Sequence, residues 1–245
     1  QQLKKQWNKF MIKALTFDLF GTVLDLEKST KDSIINIINN NNSSVTPQQF
    51  WAFLRHRQRI EQYQDNILDL GHSGYLKTVK NAFKYTARKF NMEPSALDLS
   101  LWDKNWQNLI PFSEVLDALN ILSNKFNLIA LSNGEDKFLR HLAQKRIKFN
   151  FDNIISVEEV GAFKPYSGVY RKTSLITGYE LSEIMMVSAN SFDTLGAKSC
   201  GMKAVYVNRY ELPYEECHEM LKPDLIVNNF TELSNKLAKD EDNYA

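Results

Sequence analysis

Asp18, Lys164 and Asp193 are the charged side chains best placed for catalysis, because each stands beside turn residues at the end of an apolar run. Asp18 closes "ALTF" and leads into "LFGT", so it sits at a strand tip. A carboxylate there can merely turn the chain, or it can serve a site at the edge where such sheets bind ligands. "LSNG", Leu131 to Gly134, ends a second apolar run with a hydroxyl, an amide and a glycine. These are ordinary turn residues and equally the makings of an anion nest. Lys164 directly precedes Pro165 in "GAFKPYSGVY". Most lysines are solvated surface charges, but one braced at a strand-end loop can hold a positive charge beside a carboxylate. "VSANSFD", Val187 to Asp193, adds Ser188, Asn190 and Asp193, the last also suited to the first turn of a helix. Two carboxylates, an ammonium and several neutral donors on one edge have the composition of a catalytic site.

Bringing them together requires parallel strands whose carboxyl ends share an edge. Short apolar runs predict strands at Ile12–Phe17, Asn127–Leu131, Asn153–Val157, Ile184–Ser188, Lys203–Val207 and Asp224–Val227. Helical stretches are expected near Ser113–Asn124, Asp136–Lys145, Ser167–Thr177, Thr194–Cys200 and Thr231–Ala238. The alternation predicts an α/β fold with a Rossmann-like parallel-sheet core and right-handed crossovers, which put ligands at the strands' carboxyl ends. Residues 26–110 lack buried-strand runs and are rich in helix formers and aromatics, including Trp51, Trp102 and Trp106. They are expected to form a helical cap domain inserted after the first strand, the core being residues 12–25 and 111–245. "NNNNSS", Asn39 to Ser44, reads as a flexible loop, and Thr46-Pro47 as a helix N-cap with proline in the first turn.

Composition excludes several partners. Lys plus Arg is 30 against 29 for Asp plus Glu, so no long-range field favours nucleic acid or an anionic membrane. No apolar run approaches the roughly 18 residues of a membrane helix. Cys200 and Cys217 give neither a disulfide framework nor metal-ligand spacing, which fits a reducing, cytoplasmic setting. The opening "QQLKKQWNKF" is polar and basic without an apolar segment, unlike a secretory signal, and residues 1–11 read as an N-terminal extension.

The ordered motifs resemble the haloacid dehalogenase superfamily, and within it the L-2-haloacid dehalogenase branch. Asp18 with Gly21 and Thr22 meets the first motif, Ser132-Asn133-Gly134 the second, Lys164-Pro165 the third, and the Ser188, Asn190 and Asp193 loop the fourth. The superfamily's phosphatases place a second aspartate two residues after the nucleophile; here Phe20 stands there. The fourth motif offers Asn190 and one carboxylate, poor in the oxygen ligands a divalent ion requires. The resemblance therefore implies hydrolysis of a short L-2-haloacid through an aspartyl ester, with no metal or other cofactor.

In that mechanism Asp18 attacks C2, and Lys164 supplies the cation that favours an ionised nucleophile. Thr22, Ser188 and Asn190 orient Asp18 and hold Lys164, while Asp193 activates the water that hydrolyses the ester. Ser132, with the amides near Leu19 and Phe20, holds the substrate carboxylate; Asn133 and a cap arginine receive the halide. Tyr170 supports the site, Phe192 belongs to the pocket wall, and Tyr75 stands where the family has a phenylalanine. Pairing Ile60-Glu61 with the family's Leu-Glu puts the arginine position on His56, and a one-residue slip moves it to Arg55 or Arg57. The expected partner is a small 2-haloacid; dimers are common in the branch, and no segment identifies an interface. Two alternatives stand beside this reading: a phosphatase-like hydrolase of a small phosphoester, and a non-catalytic binding protein on the same fold.

Overall fold

The structure, a computed structural model, describes residues 11–239, so residues 1–10 of the expected extension lie outside it. Strand β1, Ala14–Phe17, is wholly buried, because its four residues have neighbours on both faces and both sides. A two-residue strand β2, Leu24–Asp25, leads into four helices: α1 (Leu26–Asn40), α2 (Pro47–Ile67), α3 (Tyr75–Lys89) and α4 (Ala96–Gln107). The chain returns through β3, Ile110–Pro111, which pairs antiparallel with β2. Then follow α5 (Val115–Leu122), β4 (Asn127–Ser132), α6 (Asp136–His141), β5 (Asn153–Ser156), α7 (Ser167–Thr177), β6 (Ile184–Ser188), α8 (Ser191–Ser199), β7 (Lys203–Val207), β8 (Leu225–Val227) and α9 (Phe230–Lys239).

Six strands form one all-parallel sheet in the order β5-β4-β1-β6-β7-β8. After β1 the chain adds β4 and β5 on one side, and later β6 on the other. The strand order reverses at β1, the position where open α/β sheets bind ligands. Register completes the alignment: Phe17 pairs with Ala130 of β4 and with Val187 of β6, so Asp18, Ser132 and Asn190 emerge on one edge.

Several expected details are corrected. Strand β1 begins at Ala14 rather than Ile12, and α8 begins at Ser191 rather than Thr194, which puts Asp193 in a helical first turn. Helix α6 ends at His141 and continues as a wider π-helical turn, Leu142–Ile147. The stretch expected as a flexible loop is partly helix: Asn39 and Asn40 end α1, and the Asn41 side chain donates back to Ile37 O at 2.9 Å. Thr46 does cap α2, in a reciprocal capping box with Gln49, followed by Pro47.

Candidate active site

Asp18 lies just beyond β1 and is 5% exposed. Its Oδ2 accepts hydrogen bonds from Thr22 Oγ1 and Asn190 Nδ2, each at 2.8 Å, and its Oδ1 faces Lys164 Nζ at 3.3 Å. The turn that makes this possible runs through Gly21, whose φ of 84° lies in the left-handed region open to glycine. Thr22 thereby folds back over the strand tip. Its hydroxyl donates to Asp18 and accepts from Ala189 N at 2.8 Å, tying the Asp18 turn to the loop after β6.

Lys164 is 1% exposed, and its ammonium is fully engaged. It donates to Leu131 O at 2.6 Å, to Asp193 Oδ2 at 2.9 Å and to Asp18 Oδ1 at 3.3 Å. The backbone bends into place at a cis Lys164–Pro165 peptide, and Lys164 N donates to Asn133 Oδ1 at 2.9 Å. A buried ammonium needs this pairing, since an unmatched charge in a low-dielectric interior is costly. Asp193, also 1% exposed, accepts from Tyr170 Oη at 2.8 Å with its other oxygen. Burial raises the Asp193 carboxyl above its ordinary 3.8, opposed by Lys164 and reinforced by Asp18. Burial, with Asp193 beside it, likewise pushes the Tyr170 phenol well up, so that it remains a donor.

The expected holders of Lys164 need correction. Thr22 and Asn190 grip Asp18, whereas Lys164 is held by Leu131, Asp18 and Asp193. Ser188 stands one step back, its hydroxyl accepting from Asn190 N at 3.1 Å and setting the loop that aims the Asn190 amide. Ser132 Oγ is buried and has no hydrogen-bond partner among the described residues, which leaves a donor at the end of β4. The Leu19 side chain is fully buried, so only its backbone can serve a ligand.

A cavity of about 20 Å³ lies over Asp18, Lys164 and Asp193. Asn133, Asn190, Phe20 and Phe192 line it from the sheet side, and Tyr75 lines it from the start of α3. Across from the strand ends stand Arg55, Gln58, Arg59 and Gln62, spaced i, i+3, i+4 and i+7 along one face of α2. This face decides among the three cap candidates. Arg55 reaches the cavity. His56 is exposed, its nearest ring neighbour Phe53, and Arg57 is turned to Glu61 at 2.6 Å and to the Tyr85 ring at 4.2 Å. Helix geometry keeps His56 and Arg57 off this face, because residues one and two positions after Arg55 are rotated by about 100° and 200°.

Sequence reasoning missed Gln58, Arg59 and Gln62, although their helical spacing from Arg55 was the available signal. It also missed His72, whose Nε2 donates to Asn133 O at 2.8 Å from the loop after α2. Gly196 is another: a Cβ there would come within 2.6 Å of Tyr170 Oη and 2.8 Å of Pro165 Cβ, so its bareness lets α8 carry Asp193 against Tyr170. Among the described residues no three His, Cys, Asp or Glu side chains are grouped so as to hold a metal ion.

Residues 12–201 match the model of the haloacid dehalogenase-like hydrolases. An (S)-2-haloacid dehalogenase of Pseudomonas putida is 27% identical over 242 residues, covering 94% of this chain and 99% of that protein. One from Xanthobacter autotrophicus is 29% identical over 201 residues, covering 81% and 76%. The solved L-2-haloacid dehalogenase of Xanthobacter autotrophicus with chloropropionic acid covalently bound superposes with a TM-score of 0.81 at 22% identity, over 94% of this chain and all of the other. With a family model spanning most of its length and the same sheet and helical layer in the solved relative, the chain belongs to the haloacid dehalogenase-like hydrolases.

Proposed function

We propose that this hydrolase cleaves the carbon–halogen bond of short L-2-haloacids, giving the 2-hydroxy acid and halide without a metal. The observation that carries the reading is a buried Asp18 carboxylate facing the cavity with Phe20, not an acid, two residues on. Halide leaves without a proton, so displacement needs no general acid in that position. The Lys164 ammonium bridges Asp18 and Asp193 and offsets the charge that the two carboxylates share. The relatives named (S)-2-haloacid dehalogenase point to the same chemistry.

Asp18 Oδ1 is the nucleophilic oxygen. Oδ2 is saturated by two 2.8 Å bonds, whereas Oδ1 has one longer contact and keeps lone-pair density for C2. The new O–C2 bond forms as the C–halogen bond breaks, and the halide leaves with the electron pair. Thr22 and Asn190 hold the carboxylate in line, an orientational gain that needs no further motion. Ser132 Oγ donates to the substrate carboxylate. Water then adds to the ester carbonyl of Asp18, its proton passing to Asp193; the bond from that carbon to the ester oxygen breaks, and the 2-hydroxy acid departs with the original Asp18 oxygen and the proton returned by Asp193. The helical layer, residues 26–110, serves as the cap that excludes bulk water.

Halide release from both enantiomers of 2-chloropropionate, measured in chelator with wild type and Asp18→Asn, tests the reading. The L enantiomer alone is turned over, and the variant is inactive. Absence of chloride release at any pH, or magnesium-dependent phosphate release from small phosphoesters instead, defeats it. A single turnover in oxygen-18 water adds the label to the Asp18 carboxylate before it reaches product.

A further inference from the structure

Two guanidinium groups of α2 line the cavity, and halide displacement gives a task to only one. Arg55 and Arg59 stand four residues apart on the same helical face. Arg55 donates to Gln58 and packs over Trp51 at 5.7 Å. Arg59 makes no hydrogen bond and no ion pair among the described residues; its guanidinium lies over the Phe192 ring at 5.0 Å.

The carboxylates and the other cations around Arg59 are engaged elsewhere. Arg57, turned away from the cavity, is matched by Glu61 through Nε at 3.0 Å and Nη2 at 2.6 Å. Glu215 attracts Arg59 from the loop after β7, but its carboxylate accepts from Ser191 Oγ at 2.6 Å. Lys164 is shared by Asp18 and Asp193. Arg59 is exposed as a whole residue, at the mouth of the cavity, yet desolvation of its guanidinium and then the nearby Arg55 lower its pKa. Like charges one helical turn apart repel, so a second guanidinium held here is stabilised by an anion brought to it. The next turn of α2 is tied to the strand ends, Gln62 Oε1 accepting from Asn133 Nδ2 at 3.3 Å, which keeps Arg59 beside the cavity.

The groups on C2 indicate what that anion is. One is the carboxylate assigned to Ser132, one the halogen that departs away from Asp18, and one a hydrogen. The fourth is the substituent, and its room lies toward the mouth, where Gln58, Arg59 and Gln62 of α2 meet Phe192. An alkyl group there would displace water from polar side chains and return no hydrogen bond. A carboxylate instead fits the planar fork of a guanidinium. We propose that Arg59 binds a second carboxylate of the substrate, so that this hydrolase acts on short L-2-halodicarboxylates, of which 2-chlorosuccinate is the simplest probe. The proposal rests on the displacement described above and names its substrate class. The bonds that change are the same: Asp18 Oδ1 bonds to C2, chloride leaves with the electron pair, and the second carboxylate stays intact in the 2-hydroxydicarboxylate product.

The experiment compares kcat/KM for chloride release from L-2-chlorosuccinate and L-2-chloropropionate in wild type, Arg59→Leu and Arg59→Lys, alongside calorimetric titration of wild type and Arg59→Leu with succinate and propionate. Wild type is expected to prefer chlorosuccinate. Arg59→Leu is expected to lower the chlorosuccinate-to-chloropropionate ratio about tenfold or more, chiefly through KM, and Arg59→Lys, which keeps a charge, to lower it less. A wild-type preference for chloropropionate overturns the proposal. So does an equal loss on both substrates in Arg59→Leu, which would put Arg59 on the carboxylate that they share. Should wild type release no chloride from either compound, the displacement itself fails, and the titrations decide the Arg59 subsite alone. Tighter binding of succinate than propionate, lost in Arg59→Leu, supports it; equal affinities for the two acids in wild type overturn it.

Discussion

At the scale of the residue, the Asp18, Lys164 and Asp193 trio divides one buried charge system into two roles. Asp193 has both oxygens occupied, by Lys164 and Tyr170, and burial raises its carboxyl. The sign of the pH effect differs between folding and turnover. A carboxyl whose folded pKa is raised favours the folded state below 3.8 and loses that contribution as pH rises through the raised value. Water activation needs the ionised form, so ester hydrolysis is lost as pH falls through the same value. The acid limb of turnover should therefore lie above 3.8, as a rate profile from pH 3 upward will show. Asp193→Asn should stop after one halide per active site, leaving the acid attached to Asp18. Mass spectrometry of the Asp18 peptide checks this, and continued multiple turnover would refute the assignment. Such residues were legible because each strand end carries its own short signature, as in "FDLFGT" and "KPYSG". Arg55 was not, because three adjacent basic residues have the same side-chain chemistry and differ only in rotation about α2.

Elements matter here chiefly through the way α2 is tied to the core. The Asn66 side chain in its last turn makes two reciprocal 2.8 Å bonds to the backbone of Phe163, Nδ2 donating to O and Oδ1 accepting from N. Phe163 directly precedes Lys164, so one amide links the helix carrying Arg55 and Gln58 to the loop carrying the ammonium. Asn66→Ala removes both bonds and should cost about 2 kcal/mol, read in urea unfolding. It should raise KM more than it lowers kcat, because the trio itself is untouched; an unchanged KM would show that the link does not position α2. The sheet strands were legible since strands buried on both faces read as unbroken apolar runs. The two-residue strands β2 and β3 were not. Their pairing joins positions far apart in sequence, and Leu24–Asp25 and Ile110–Pro111 carry no periodicity that two residues could express.

For the molecule as a whole, the consequence is that the active site lies in a seam. One continuous apolar cluster runs from Phe17 and Val187 in the sheet to Phe50, Phe83 and Trp102 in the helical layer, and the cavity interrupts it over Asp18. At about 20 Å³ that space is close to the size of one water molecule, well short of a haloacid. Substrate binding therefore needs the lining side chains, or the helical layer over the sheet edge, to give way. The loop between α2 and α3 is built for this: Leu68 and Leu70 are exposed, and Gly71 and Gly74 have φ of 76° and 104°. Closure is held by His72 on Asn133, Gln62 on Asn133 and Asn66 on Phe163. Segments with few buried contacts open locally at low free energy, so residues 68–74 should exchange amide hydrogens faster than β1, β4 or the buried residues 162–164. Propionate, which carries the carboxylate but no leaving group, should slow exchange in residues 68–74, because filling the cavity favours the closed seam. Protection confined to the strand ends would instead show that the ligand enters a cavity already open.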